Sequence, residues 1–293
     1  MNRNENHDVK MNILKTVDNY KTMKTQTFEI INQPFELTEA QIDFYKENKF
    51  IKIKNVFKGD ELAYFAEVIK QKVLELNTET KPLEERDTYS KAFLQIMNLW
   101  THSDDVKQFS FGKRLASIAT QLMEVEGVRM YHDQALFKEP GGGFTPWHAD
   151  QYYWPLDTDK TVTAWVPLQA TPLEMGPLEF SAKSHLLQEG RQLKISDDSE
   201  QVISQKLRLG DFKTVVEGFD LGEVSFHSGW VFHRAGANTT NKMRQVMTVI
   251  YMDKDIKLMQ PKNENQQADW HTWCPGVEIG EVVATHLNPV LYP

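Results

Sequence analysis

Apolar residues recur at helical spacing before Gly127 and at strand spacing after it. Thr38-Glu39-Ala40-Gln41 is a capping box, and Ile42, Phe44 and Tyr45 follow on a helix that ends near Asn48. Phe50 to Lys54 alternates like a half-exposed strand. From Asp60 to Leu76, residues Leu62, Phe65, Ile69, Val73 and Leu76 line one helix face. Asn77 to Asp87 is polar, contains Pro82 and reads as a loop. Ser103-Asp104-Asp105 opens another helix, with Phe109, Leu115, Ile118, Ala119 and Leu122 on its apolar side. Short strands bounded by turn residues then follow: Val128 to Lys138, Thr161 to Gln169, Leu178 to Ser181, Gly222 to His227, Trp230 to His233 and Arg244 to Met252. Such a series predicts a sandwich or barrel, so the fold class is mainly β with flanking helices. The polar stretch from Asp253 to Pro293, with Trp270 and Trp273, receives no element. With no repeat or linker in view, residues 35–293 read as one domain and residues 1–34 as an N-terminal arm, partly disordered.

Composition narrows the class. The 293 residues are 40% hydrophobic and 25% charged, ordinary for a globular chain that buries a large core. A net charge of −8 argues against nucleic acid as a partner, since phosphate backbones call for clustered Lys and Arg. No apolar run is long enough to span a membrane, and the N-terminus lacks the apolar core of a secretory signal. Cys274 is the one cysteine, so no internal disulfide can form, and a reducing cytoplasm is the expected location.

The chemistry concentrates in Trp147-His148-Ala149-Asp150-Gln151-Tyr152-Tyr153-Trp154. On a strand, residues i and i+2 share a face about 6.6 Å apart, so His148 and Asp150 can grip one metal ion and leave its other side open. A third ligand from a distant strand would complete the facial triad of non-haem Fe(II) oxygenases. His185, His227 and His233 are the candidates. The pattern alone is weak, because His102-Ser103-Asp104 repeats it at a helix start, where Ser and Asp serve as cap and first-turn acid. Gly141-Gly142-Gly143 before the motif and Pro155 after it frame a functional loop, and the aromatics could wall a water-poor pocket or simply fill core. The segment from His233 to Arg244 reads as a hairpin that brings those two residues close. An Arg at the mouth of a β core needs an anionic partner, and a guanidinium matches a carboxylate.

Taken together these residues resemble the phytanoyl-CoA dioxygenase family of Fe(II)- and 2-oxoglutarate-dependent oxygenases, over roughly Leu37 to Met252. The carriers are Leu37-Thr38-Glu39-Ala40-Gln41 through Asn48-Lys49-Phe50, His148-Ala149-Asp150, Ala164-Trp165-Val166-Pro167-Leu168, Gly176-Pro177-Leu178 with Ser184-His185, and His233, Asn238 and Arg244. The resemblance implies a double-stranded β-helix (a cupin-like jelly roll) with helices outside. It implies Fe(II) on His148, Asp150 and His233, and 2-oxoglutarate with its distal carboxylate on Arg244 and further contacts from Gln134 and Trp165. O2 would be the other cosubstrate, and the reaction hydroxylation of a C–H bond with release of succinate and CO2. Trp154, with Tyr152, would face the substrate, while His227 supports the centre or fills core and His185 caps a loop. Members often carry Ser two residues after the distal His; Ala235 stands there, which implies rearranged hydrogen bonding to the cosubstrate. Related halogenases replace the motif Asp by Gly or Ala, so Asp150 argues against halogenation. With no convincing basic patch for a CoA ester, the aromatic cluster points to a small amine, amino acid or secondary metabolite. Desaturation, cyclisation or epoxidation are alternatives on the same iron chemistry. A zinc hydrolase or a non-catalytic jelly-roll binding protein are alternatives of another class.

Overall fold

The computed structural model describes residues 24–293. Residues 24–31 are helical and docked: Phe28 stacks on Phe65 with 5.9 Å between ring centres, and Arg114 donates to the Ile30 carbonyl at 2.8 Å. Of the expected arm, residues 1–23 thus lie outside the described residues, and the stretch after them packs on the protein body.

The helical half comprises α1 (Glu39–Asn48), β1 (Phe50–Ile53), α2 (Gly59–Leu76), a short α3 (Thr88–Ala92), β2 (Leu94–Met97), α4 (Asp104–Ser110) and α5 (Lys113–Met123). The capping box forms at α1: the Thr38 hydroxyl accepts the Gln41 N–H at 3.3 Å, and the Gln41 side chain accepts the Thr38 N–H at 2.9 Å. On α2, Leu62, Phe65, Ile69 and Val73 are fully buried, as their spacing requires. The single helix expected after Ser103 is two. The break falls at Phe111-Gly112, where a Cβ on Gly112 would come within 3.2 Å of the Ile31 carbonyl, so the helix at residues 24–31 passes closely there and favours a small residue.

The second half holds β3 (Val128–Phe137), β4 (Thr145–His148), β5 (Thr161–Pro167), β6 (Leu178–Ser181), α6 (Asp197–Leu209), β7 (Thr214–Val216), β8 (Val224–Ser228), β9 (His233–Ala235), β10 (Val246–Asp253), α7 (Glu264–Trp273) and β11 (Val290–Tyr292). One sheet has the order β1-β8-β5-β10-β3-β11, with β2 also on β3; the other runs β4-β9-β6-β7. Every pairing is antiparallel. The two sheets face each other as a double-stranded β-helix with helices outside.

Burial explains why some strands read as unbroken apolar runs. On β10, Met247, Val249 and Tyr251 join the core under the helices, while Val246 packs between the sheets with Trp165, Leu178 and Phe180. A strand covered on both faces loses its alternation. Consecutive strands also change sheet: β9 pairs with β4 and β6, whereas β10 pairs with β5 and β3. The stretch from His233 to Arg244 is therefore a crossover between sheets, not the expected hairpin. The Asn238 side chain donates to the carbonyls of Lys138, Glu139 and Lys242 and holds that crossover. Helix α6 covers the outer face of the small sheet, with Ile203 and Leu207 on Trp147 and Phe232.

Candidate metal centre

Strand β4 ends at His148, directly opposite His233 on β9. Asp150 is not on the same strand, as its spacing suggested. It opens a 3-10 turn, Asp150–Tyr152, after the extended Ala149. The turn bends the carboxylate back, and one candidate ligand atom from each of His148, Asp150 and His233 lies within 4.8 Å of the others. Asp150 Oδ1 is 3.6 Å from both His148 Nε2 and His233 Nε2.

The surroundings fix what each atom offers. His148 Nδ1 lies 2.7 Å from the Pro146 carbonyl, and His233 Nδ1 3.1 Å from that of Val231. A carbonyl only accepts, so both rings carry the proton on Nδ1 and turn the Nε2 lone pair inward. Asp150 Oδ2 accepts from the Thr163 hydroxyl at 3.1 Å and pairs with His227 Nε2 at 3.2 Å, leaving Oδ1 for the centre. Thr163 and His227 are register neighbours across β5 and β8, so one rung of the sheet supplies both contacts. Burial, reinforced by the neighbouring imidazole, pushes His148 and His233 down to about 4. Burial pushes the Asp150 carboxyl up, but the imidazoles of His233, His227 and His148 outweigh it and the net direction is down. At neutral pH the set is two neutral nitrogens and one carboxylate, ready for a divalent cation without proton loss. Two His and one carboxylate on one side, with the other side open, fit Fe(II).

Arg244 lies on the floor of the same cavity, 1% exposed. Its backbone pairs with Lys138, its Nη1 donates to the Gly176 carbonyl, and its Nε has no partner among the described residues. Gly176 sits at φ 68, with the Gly236 carbonyl 2.1 Å from where a Cβ would lie, so only glycine can bring that acceptor in. The guanidinium is 5.5 Å from the centre of the Trp165 ring, whose indole N–H is also unpartnered. Burial pushes Arg244 down to about 9. No acid pairs with it among the described residues, and a buried guanidinium without an anion is costly. A ligand carboxylate fits this end of the cavity, where the Arg244 Nε–H and the Trp165 indole N–H are free to donate. Beside it, Lys138 donates to the carbonyls of Gly143 and Gly236 at 2.6 and 2.7 Å, tying the loop before β4 to the loop after β9.

The cavity that joins the triad to Arg244 has a volume of about 360 Å³. Its far wall is aromatic, with Tyr89, Phe93, Tyr153, Trp154 and Trp273.

A sequence model of the phytanoyl-CoA dioxygenase (PhyH) family matches residues 21–246. The chain belongs to that family. Among curated proteins it is 23% identical over 149 residues to a probable alpha-ketoglutarate-dependent hypophosphite dioxygenase of Stutzerimonas stutzeri, a match covering 48% of this chain and 51% of the relative. The chain thus spans about half the length of the curated relative it matches. Among solved structures, it is similar to the non-heme alpha ketoglutarate dependent carbocyclase SnoK from nogalamycin biosynthesis, with a TM-score of 0.72, 23% identity, and 88% of this chain and 99% of that one covered. The epimerase SnoN from the same biosynthesis gives 0.71 and 20%, covering 86% and 97%. EctD from S. alaskensis gives 0.63 and 16%, covering 80% and 85%. At these identities the likeness shows a shared fold.

Within this phytanoyl-CoA dioxygenase family member, the structure gathers most of the residues singled out from sequence. His148, Asp150, His233, Arg244, Trp165, Gln134 and Trp154 line one cavity, and Gln134 accepts from Gln95 at 2.6 Å. Tyr152 does not line it: its hydroxyl accepts from Asn265 at 3.1 Å and its carbonyl from Gln266 at 3.1 Å, so it docks α7. Tyr153 takes the position on the cavity, where its hydroxyl accepts the Ile195 N–H at 2.9 Å. The second motif copy stays local: the Ser103 hydroxyl caps α4 by accepting the Val106 N–H, with His102 exposed. Sequence reasoning missed Tyr89, Gln95, His132, Asp269 and Trp273. Two cap signals lead to three of them: Asp87 accepts the Ser90 N–H at 2.7 Å before Tyr89, and Asn263 accepts the Gln266 N–H at 2.9 Å at the start of the helix bearing Asp269 and Trp273.

Proposed function

We propose that this protein is an Fe(II)- and 2-oxoglutarate-dependent dioxygenase that hydroxylates a C–H bond of a small organic substrate, consuming O2 and releasing succinate and CO2. The observation that carries this reading is the placement, in one cavity, of a two-His, one-carboxylate set and a buried guanidinium with no anion of its own. His148 Nε2, His233 Nε2 and Asp150 Oδ1 hold the iron. When bound, the iron activates O2 in step with decarboxylation of 2-oxoglutarate. Arg244 binds the distal carboxylate of the cosubstrate, Trp165 donates its indole N–H, and Gln134 stands beside them. Thr163 and His227 keep Asp150 Oδ1 turned to the metal by holding Oδ2. The aromatic wall excludes water and places the substrate bond, and that placement decides between hydroxylation and desaturation, cyclisation or epoxidation. Asp150 fills the position that a halide would need. Residues 35–293 act as one catalytic domain in this reading. A cytoplasmic location accompanies it, consistent with a lone buried cysteine and with the lack, among the described residues, of any helix long and apolar enough to cross a membrane.

The test is an anaerobic titration with Fe(II) followed by 2-oxoglutarate. A visible metal-to-ligand charge-transfer band is expected in the wild type and not in His233→Ala. Its absence in folded wild-type protein would move the centre to another metal or to a non-catalytic role.

A further inference from the structure

The end of the cavity away from Arg244 is built by α7 and β3, and it carries an acid. Asp269 lines the cavity with His132, Tyr153, Trp154 and Trp273. Its Oδ2 accepts from the Tyr131 hydroxyl at 3.0 Å. Trp273 also contacts the carboxyl as a hydrogen-bond donor. Both donors are neutral, and no Lys, Arg or His pairs with Asp269 among the described residues. Neutral donors hold a buried carboxylate in place without balancing its charge. Burial pushes its carboxyl up to about 7, the direction expected of an acid awaiting a counter-charge.

A second observation points the same way. His132 is 4% exposed, lines the cavity, and its Nδ1 has no partner among the described residues. Its ring lies 5.2 Å from that of Trp273, and Trp154 lies 5.5 Å from Tyr131. Aromatic rings lining a cavity beside a carboxylate suit organic cations. Anionic substrates are disfavoured by the same layout. Arg244 is the one Lys or Arg on the cavity wall among the described residues, and the cosubstrate claims it.

We propose that the substrate is a small organic ammonium whose charged nitrogen sits on Asp269 between Trp273, Trp154 and Tyr153, with its reacting carbon directed toward the His148, Asp150 and His233 centre. This assignment rests on the dioxygenase reading for the fate of the carbon, but the ammonium site itself can be measured without iron. The cavity, near the lower end of the usual range of about 300–1,000 Å³, suits a small molecule beside the cosubstrate.

The experiment uses the full chain and three probes on one skeleton: 2-phenylethylammonium, 2-phenylethanol and phenylacetate. Binding is followed by tryptophan fluorescence without metal, and again anaerobically with Fe(II) and 2-oxoglutarate, where the charge-transfer band reports the iron reading separately. The ammonium is expected to bind roughly tenfold or more tighter than the alcohol in both settings, and the carboxylate more weakly than either once 2-oxoglutarate occupies Arg244. Asp269→Asn, which keeps an acceptor for Trp273 and a polar group for Tyr131, is expected to abolish the preference by weakening the ammonium far more than the alcohol. A purely structural Asp269 would not alter that ratio. Equal binding of ammonium and alcohol to the wild type overturns the proposal, as does a preference that survives in Asp269→Asn; the wild-type comparison decides even where the variant does not fold. A band with no ammonium preference leaves the dioxygenase reading standing and removes this one. An ammonium preference with no band does the reverse.

Discussion

Asp150 divides its two oxygens between the centre and the sheet, and that division can be measured. Oδ2 is held by Thr163 and His227, so the orientation of Oδ1 depends on neighbours that never touch the metal. Supporting contacts of this kind are worth about 10–100-fold in metal affinity. His227→Leu is therefore expected to weaken Fe(II) binding by about that factor, measured by anaerobic competition with a chelator. Unchanged affinity would assign the orientation to Thr163 alone. Arg244 makes a second residue-level case. Its buried guanidinium, with an unpartnered Nε, gains a charged partner only when a carboxylate arrives. Loss of such a pair costs about 2–4 kcal/mol, so Arg244→Ala is expected to raise the 2-oxoglutarate requirement about 10²-fold or more. Succinate release against 2-oxoglutarate concentration reads this directly, and an unshifted curve would mean that another group anchors the cosubstrate.

At the scale of elements, α7 joins a polar exterior to the cavity wall through Asp269. Burial raises that carboxyl to about 7, while in the unfolded chain it titrates near 3.9, its usual value. The folded state therefore holds the proton more tightly. Its stabilising share is complete below about pH 4 and is lost as pH climbs through about 7. Asp269→Asn removes this loss, so the variant is expected to melt above wild type near pH 8 and close to it near pH 4 in thermal unfolding followed by circular dichroism. A variant melting lower near pH 8 would show that the ionised form is the stabilising one. This helix also shows where the sequence becomes hard to read. On α2 and β10 the apolar pattern is dense, because those elements bury whole faces, and both are legible. Among its residues, α7 fully buries Gln266 alone and attaches through the Tyr152 carbonyl and hydroxyl, so it offers almost no apolar periodicity. Likewise α6 commits little more than Ile203 and Leu207 to packing, and β2 fully buries only Leu94. The candidate metal ligands and Arg244 were legible because the chemistry proposed for them restricts their residue types. The rest of the cavity wall was not, since any aromatic or acid on any element can stand there.

For the whole molecule, the centre and Arg244 lie between two sheets, so ligands that occupy them bind the folded chain and not the unfolded one. Binding at a hundredfold excess over Kd adds about 2.7 kcal/mol by mass action. For a chain of this size that corresponds to a rise of about 4 °C in melting temperature for each ligand when Fe(II) and 2-oxoglutarate are added together under anaerobic conditions. Arg244→Ala is expected to keep the iron part of the rise and lose the cosubstrate part. The same rise in both proteins would place 2-oxoglutarate elsewhere.

His148 and His233 face each other across β4 and β9, yet a long stretch of chain separates them. A metal that grips both is a removable cross-link on that stretch, closing its loop much as a covalent staple would. Among the described residues, the sheet it staples has four short strands, whereas the opposite sheet has seven and carries the helical core. Chelation is therefore expected to release one side of the molecule ahead of the other. Amide hydrogen exchange would quicken first at Thr145–His148 and His233–Ala235, with Val246–Asp253 still protected. A chain that has lost its iron would then expose a local seam to proteases while most of its core stays shut, and the cell's turnover of this protein would follow its metal supply.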